Sequence, residues 1–274
     1  MFVILNPVEV CGRYFERRRQ AKAFARSEPT AYRSRSGLPF FALDIPYGKR
    51  GIDWQLTAAK CGRYASRIVA PRELTVPDIC GLRRFVPVRL PALLTLNSAI
   101  TALTQAKLRG DSFTLTLCDR SAYLPAELCR LLPLCSAVRV VTSRPERYAR
   151  ACADAFENYG ASVLLRLRYE PAGGHDIVIC SDGCTSPGME NAAVFLHSRH
   201  FASRLCLTCG GLELLPEHRG IIPSGADPAD FAGALAELCG SGEYSASAWR
   251  DIEPSGRICA EADPAVCLRS FTEK

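Results

Sequence analysis

Between residues 112 and 183, short apolar β-type runs alternate with segments of helical spacing. That alternation constrains the fold more than any other feature of the chain. Ser112–Asp119 (SFTLTLCD) is an apolar run ending in an acid. Leu124–Leu134 has helical character and is opened by Pro125 near its first turn, where the missing N–H is no loss. Ala137–Thr142 (AVRVVT) is a second strand. Pro145–Tyr159 predicts a helix with Tyr148, Cys152, Ala155, Phe156 and Tyr159 along its inward side and Gly160 as its stop. Ala161–Tyr169 and Asp176–Cys180 (DIVIC) are two further strands. Strands alternating with helices of this length predict βαβ units and a parallel sheet.

The expected class is therefore α/β, with a Rossmann-like parallel sheet, helices on both faces, and a smaller N-terminal α/β domain. The stretch SRPERYARACADAFENYGASV, followed by HDIVICSDGCTSPGM, resembles the nucleotide domain of shikimate-dehydrogenase-like proteins. In that family one strand ends in Asn-Arg-Thr or a similar sequence, and a later strand ends in a Thr-Pro-Xaa-Gly-Met loop. Ser143-Arg144 stands where the Asn-Arg would stand, and Ser181, Asp182 and Gly183 stand where the second loop would begin. The resemblance implies that Arg144 contacts the 2′-phosphate of NADP. It covers about 70–80 of the 274 residues.

The chain departs from that family at the first βα turn. A G-x-G-x-x-G/A turn lets a pyrophosphate approach bare backbone and seats the helix tightly on the strand. Here the turn reads Cys118-Asp119-Arg120-Ser121-Ala122-Tyr123, without glycine. Asp119 would add negative charge where a helix N-terminus attracts anions. Arg120 and Ser121 offset this only in part. The Lys–Asp pair that performs proton transfer in the family also has no counterpart, because the contexts of Lys49 and Lys60 do not match. These departures predict a Rossmann-like scaffold whose cofactor site has been lost or rebuilt.

A chain of 274 residues suffices for one large domain or two small ones. Its 48% hydrophobic and 23% charged residues are an ordinary globular composition. No run reaches the roughly 20 apolar residues of a membrane span. The opening Met-Phe-Val-Ile-Leu-Asn-Pro lacks the basic and apolar regions of a signal peptide, so the expected location is cytoplasmic. The 14 cysteines lie mostly in apolar runs, which predicts reduced, buried thiols rather than a disulfide framework. Residues 13–35 hold eight basic and two acidic side chains, which equals the net charge of +6. The balanced remainder argues against nucleic-acid binding over the whole surface. The segment itself, Arg13, Arg17, Arg18, Arg19, Lys22, Arg26, Arg33 and Arg35 interleaved with aromatics, leaves RNA or another phosphate-rich partner as one alternative.

Read in order, the chain predicts a strand at Phe2–Val10 with Pro7 at an edge or bulge. A basic helix within Cys11–Arg26 and a strand at Leu38–Ile45 follow. Next come a helix at Ile52–Tyr64, with Ile52, Leu56, Ala59 and Cys61 inward, and a strand at Arg67–Ala70. The prolines of Pro71–Pro91 predict a boundary. The expected domains are 1–90, 91–240 with its leading helix at Ala92–Leu108, and a tail at 241–274. This order also resembles the two-domain plan of amino-acid-dehydrogenase-like proteins, which implies a substrate cleft between the domains. Further strands are expected at Ala193–Leu196, Arg204–Thr208, Gly220–Pro223 and Gly240–Trp249. A helix is expected at Pro228–Cys239, capped by Asp227.

Cys180, Cys184, His197, His200, Cys206 and Cys209 offer zinc-type ligands, but residues i and i+3 on a strand face opposite ways, so no metal is assigned. No nucleophile elbow, P-loop or H-E-x-x-H motif is present. In open α/β sheets, ligands bind outside the carboxyl ends of the strands. That rule selects Asp119, Arg120, Ser121, Ser143, Arg144, Ser181, Asp182 and Gly183 as cofactor-binding candidates. The functional expectation is a binding or scaffold protein with a degenerate nucleotide site and a nucleotide or small-molecule ligand. The alternatives are an NADP-dependent oxidoreductase and an RNA- or phosphate-binding protein acting through residues 13–35. Catalysis, substrate and oligomeric state are not legible in these residues.

Overall fold

A computed structural model describes residues 1–10, 16–49, 51–181, 183, 185–197, 201–210, 212–214, 220–222, 225–239, 252–253, 257–259 and 262–273. In chain order the first elements are β1 (Val3–Glu9), α1 (Glu16–Arg26), β2 (Thr30–Arg33), β3 (Pro39–Gly48), β4 (Gly51–Ile52), α2 (Trp54–Cys61), β5 (Ile68–Val69) and α3 (Arg89–Ala106). Next come β6 (Thr114–Cys118), β7 (Val138–Val141), α4 (Ala149–Tyr159), β8 (Val163–Arg166), β9 (Asp176–Cys180), β10 (Ala193–His197) and β11 (Leu205–Gly210). The last are β12 (Glu213–Leu214), α5 (Pro228–Leu238), β13 (Ile252–Glu253), β14 (Arg257–Cys259) and α6 (Pro264–Thr272). Among the described residues, no helix is long and apolar enough to cross a membrane.

The chain divides into two compact units, 1–90 with 213–253 and 91–212 with 254–274. The expected bounds are a 91–240 block and a 241–274 tail, whereas each of these units is discontinuous in sequence. Residues 213–240 group with the N-terminal unit because α5 supplies part of its core. Residues 254–274 join the other unit, where β14 pairs antiparallel with β11. The strand expected at Gly220–Pro223 is a turn over its described residues 220–222. The one expected at Gly240–Trp249 lies outside the described residues.

In the first unit the sheet order is β2-β3-β1-β5, with β4 on β3. β1 is parallel to β3 along its whole length and to β5 only at Val3 and Ile4. The β5 side of β1 is therefore open at Pro7, where a missing N–H is tolerated. Asp53 caps α2 by accepting from the Leu56 N–H at 3.0 Å. The inward stripe of α2 runs from Trp54 through Thr57, Ala58 and Cys61, at spacing i, i+3, i+4, i+7. Leu56 and Ala59, expected inward, are exposed because the stripe is phased on Trp54. The proline-rich segment after β5 is not a bare linker. The Arg84 guanidinium donates to the carbonyls of Pro71 (2.8 Å) and Leu74 (3.3 Å) and ties the segment down.

α5 begins at its Asp227 cap, whose carboxylate accepts from the Ala229 N–H at 2.8 Å. Near its other end, Glu237 accepts from the N–H groups of Val88 (3.1 Å), Arg89 (2.8 Å) and Leu90 (3.0 Å), the orphan donors at the start of α3. Between these points Gly233 lies against Pro87, and a Cβ built on Gly233 would fall 2.3 Å from the Pro87 Cβ. Gly233→Ala therefore lowers unfolding free energy by about 1–3 kcal/mol through overpacking. Urea denaturation checks this, and an unchanged midpoint would mean that α5 is not seated on Pro87.

In the second unit the sheet order is β14-β11-β10-β9-β6-β7-β8. Six of these strands are parallel, and helices flank the sheet. Taken in order of appearance they run 3-2-1-4-5-6, the doubly wound Rossmann arrangement. The order reverses between β6 and β9, where Cys118 pairs with Cys180. On its other side Cys118 pairs with Val141 of β7, as expected for neighbouring parallel strands. Leu124–Leu134 is not an α-helix but two 3-10 segments, Pro125–Arg130 and Leu132–Leu134. Pro133 supplies no N–H to continue a helix. Tyr148 opens α4, and Tyr148, Ala151 and Ala155 are buried. Phe156 and Tyr159, expected inward, are 66% and 55% exposed. The two alanines let the helix lie close to its neighbours and turn the aromatic rings outward.

Candidate functional site

The site is built at the carboxyl end of β6. The Asp119 N–H donates to the Val141 carbonyl at 2.9 Å, which extends the ladder by one residue and fixes the side chain. Asp119 is wholly buried. Its Oδ1 accepts from the Tyr123 N–H at 3.0 Å. Its Oδ2 accepts from the Leu124 N–H at 2.8 Å and from the Tyr148 hydroxyl at 2.6 Å. Three donors around one carboxylate satisfy a charge that would otherwise be expensive to bury. Within this turn Ala122 takes φ = 53°, a left-handed conformation ordinarily left to glycine. Backbone N–H groups that a glycine-rich turn would offer to a diphosphate are here bound to the protein's own carboxylate. The 3-10 segment that follows also lacks the aligned dipole of a long α-helix.

The neighbouring loops close on this turn. The Arg120 carbonyl accepts from the Ser143 N–H at 3.0 Å and the Thr142 hydroxyl at 3.4 Å. The Arg120 guanidinium donates to the Ser186 hydroxyl at 3.0 Å, which joins the loop after β6 to the loop after β9 across the switch point. The buried Ser181 hydroxyl donates to the Cys118 carbonyl at 3.1 Å. Gly183 adopts φ = 69°, and its N–H donates to Cys180 at 3.4 Å. Ser121 is half-buried, whereas Ser143 and Arg144 are exposed. The Arg144 N–H donates to the Thr142 hydroxyl at 3.2 Å. Asp182 lies outside the described residues.

The structure thus gathers Asp119, Arg120, Ser143, Ser181 and Gly183 at the ends of β6, β7 and β9, with Arg144 at the surface beside them. Sequence reading missed Tyr148, Thr142 and Ser186. Tyr148 carried a usable signal, since a tyrosine on a buried helix face needs a partner for its hydroxyl. Among the described residues no three of the candidate metal ligands come together. Cys184 and His200 lie outside the described residues. Burial lowers the His197 pKa below the usual imidazole value, and its Nδ1 has no hydrogen-bond partner among the described residues. The described cysteines are free thiols, and burial pushes Cys61 and Cys135 up to about 11.

Two other features bear on binding. The first unit contains a cleft of about 490 Å³ near the carboxyl ends of β1, β3 and β5, lined by Asn6, Tyr47, Trp54, Glu73 and Leu74 among others. On α1, Phe24 is buried while Arg18, Arg19, Lys22 and Arg26 are exposed. Arg13, in the same basic segment, lies outside the described residues.

No family model matches the chain. No curated protein matches it either. Among solved structures, the crystal structure of L-tryptophan dehydrogenase from Nostoc punctiforme is similar over 99% of this chain and 81% of that one, at 11% identity and a TM-score of 0.33. A likeness at that level carries no argument about what this chain binds.

Proposed function

We propose that the chain is a Rossmann-type binding or scaffold protein whose nucleotide crevice is closed by its own side chains. The observation that carries this reading is the Asp119 carboxylate. It accepts from the Tyr123 and Leu124 N–H groups at 3.0 and 2.8 Å, so these donors are withdrawn from any phosphate. The Arg120–Ser186 bond across the switch point supports it further.

A second reading is kept open by Arg144. It is exposed two residues after the buried Thr142 that follows β7, where an NADP 2′-phosphate would be recognised if a dinucleotide bound. Thermal unfolding with NAD and NADP separates the two. A ligand at a hundred times its Kd adds about 2.7 kcal/mol of stability. The closed crevice predicts no saturable shift that depends on Arg144. A saturable NADP shift that disappears in Arg144→Ala would overturn the proposal and establish the oxidoreductase-type site.

A further inference from the structure

A second, smaller site lies on the other face of the same sheet. β8 passes to β9 through residues 167–175, which contain no helix. Strand alternation sets Thr116, Arg139, Val141, Leu164 and Arg166 on one face, opposite Asp119. Thr116 pairs in register with Arg139, Arg139 with Leu164, and Val141 with Arg166. Arg139 and Arg166 are therefore diagonal neighbours on adjacent strands. The returning loop adds Arg168. Buried Tyr169 pins that loop by donating its hydroxyl to Asp176 at 2.7 Å. These residues line a hollow of about 120 Å³.

Three arginines line the hollow, beside two acids, Asp176 and Glu170. Arg139 donates to the Glu170 carbonyl at 3.3 Å. The two oxygens of the buried Asp176 are taken by Thr116 at 2.9 Å and Tyr169 at 2.7 Å. Burial raises the Asp176 pKa against the opposing pull of those hydroxyls and of Arg139. Glu170 is the remaining acid on the rim. The guanidinium groups of Arg166 and Arg168 have no ion pair or hydrogen bond among the described residues. Like charges on neighbouring strands repel, and a shared anion relieves this.

We propose that the hollow binds one tetrahedral oxyanion, a phosphate group, held by Arg139, Arg166 and Arg168. A small hollow lined by three arginines suits a compact anion such as a phosphate group. The guanidinium fork fits adjacent phosphate oxygens. The group comes either from free phosphate or from the end of a monoester whose remainder lies over the exposed Leu164 and Leu167. This site is independent of the nucleotide crevice and stands whether or not that crevice is closed.

Isothermal titration at low ionic strength, with inorganic phosphate in one arm and glycerol phosphate in the other, tests the site. The expected result is saturable one-to-one binding that chloride at matched ionic strength does not reproduce. Binding weakens about tenfold or more in Arg166→Ala and again in the double variant with Arg168→Ala. Binding of both probes identifies the phosphate group itself as the ligand, and binding of glycerol phosphate alone identifies a monoester. If the alanine variants lose their fold, Arg166→Lys and Arg168→Lys keep the charge, remove the fork and serve the same comparison. No binding of either probe at millimolar concentration, or binding unchanged in the variants, overturns the proposal.

Discussion

Phe231→Ala lowers the unfolding free energy by about 3–5 kcal/mol, the expected loss for a fully buried aromatic side chain. Phe231 has no exposed surface and sits on α5 between two rings from the start of the chain. Its ring lies edge-on to Phe2 at 5.8 Å and to Phe40 at 5.4 Å. Phe2 and Phe40 stack at 5.5 Å, and Tyr32 stacks on Phe40 at 5.7 Å. Removing the ring opens a cavity among the neighbouring rings and also deletes two edge-to-face contacts. Because the chain divides into two compact units, the probe must report the first one. Trp54 does so once the other tryptophan is replaced, in a Trp249→Phe background. Phe156→Ala, at a position 66% exposed, serves as control and changes stability by less than about 0.5 kcal/mol. A Phe231→Ala cost below about 1 kcal/mol would separate residues 213–253 from the N-terminal core.

That pairing of Phe231 with Phe2 and Phe40 marks where sequence reading stops. Periodicity is a local signal. It found β6, β7, β8 and β9 and their parallel pairing, because each strand is a short apolar run set off by helical spacing. It could not find that α5 returns to the first unit, because an amphipathic helix does not reveal which sheet it covers. Helix faces failed for a related reason. On α4, Tyr148 and Ala155 are buried as expected, but Ala151 takes an inward place while Phe156 and Tyr159 face outward, because an alanine marks an apolar stripe less clearly than an aromatic ring does. At the candidate site the missing glycines and the acid at Asp119 were visible. The partner that explains them was not, because Tyr148 lies 29 residues further along the chain.

Asp119→Ala is the other large effect, and it tests the turn itself. The carboxylate is the shared acceptor for the Tyr123 N–H, the Leu124 N–H and the Tyr148 hydroxyl, in a position without solvent exposure. Each buried donor left without a partner costs about 1–3 kcal/mol. The three together, less what one entering water restores, give an expected loss of about 3–5 kcal/mol. Asp119→Asn keeps one acceptor oxygen but turns an amide donor toward other donors, so its loss falls between that of Asp119→Ala and that of Tyr148→Phe. Tyr148→Phe removes one donor and leaves the carboxylate with its two backbone partners, so it loses only about 1 kcal/mol. The order Ala, then Asn, then the tyrosine variant is the signature of an internal anion that organises the turn. Denaturant titration of the three variants measures it. If Asp119→Ala matched wild type in stability, the carboxylate would not be holding the turn. The N–H groups of Tyr123 and Leu124 would then be open to a bound phosphate, and the closed crevice would have to be abandoned.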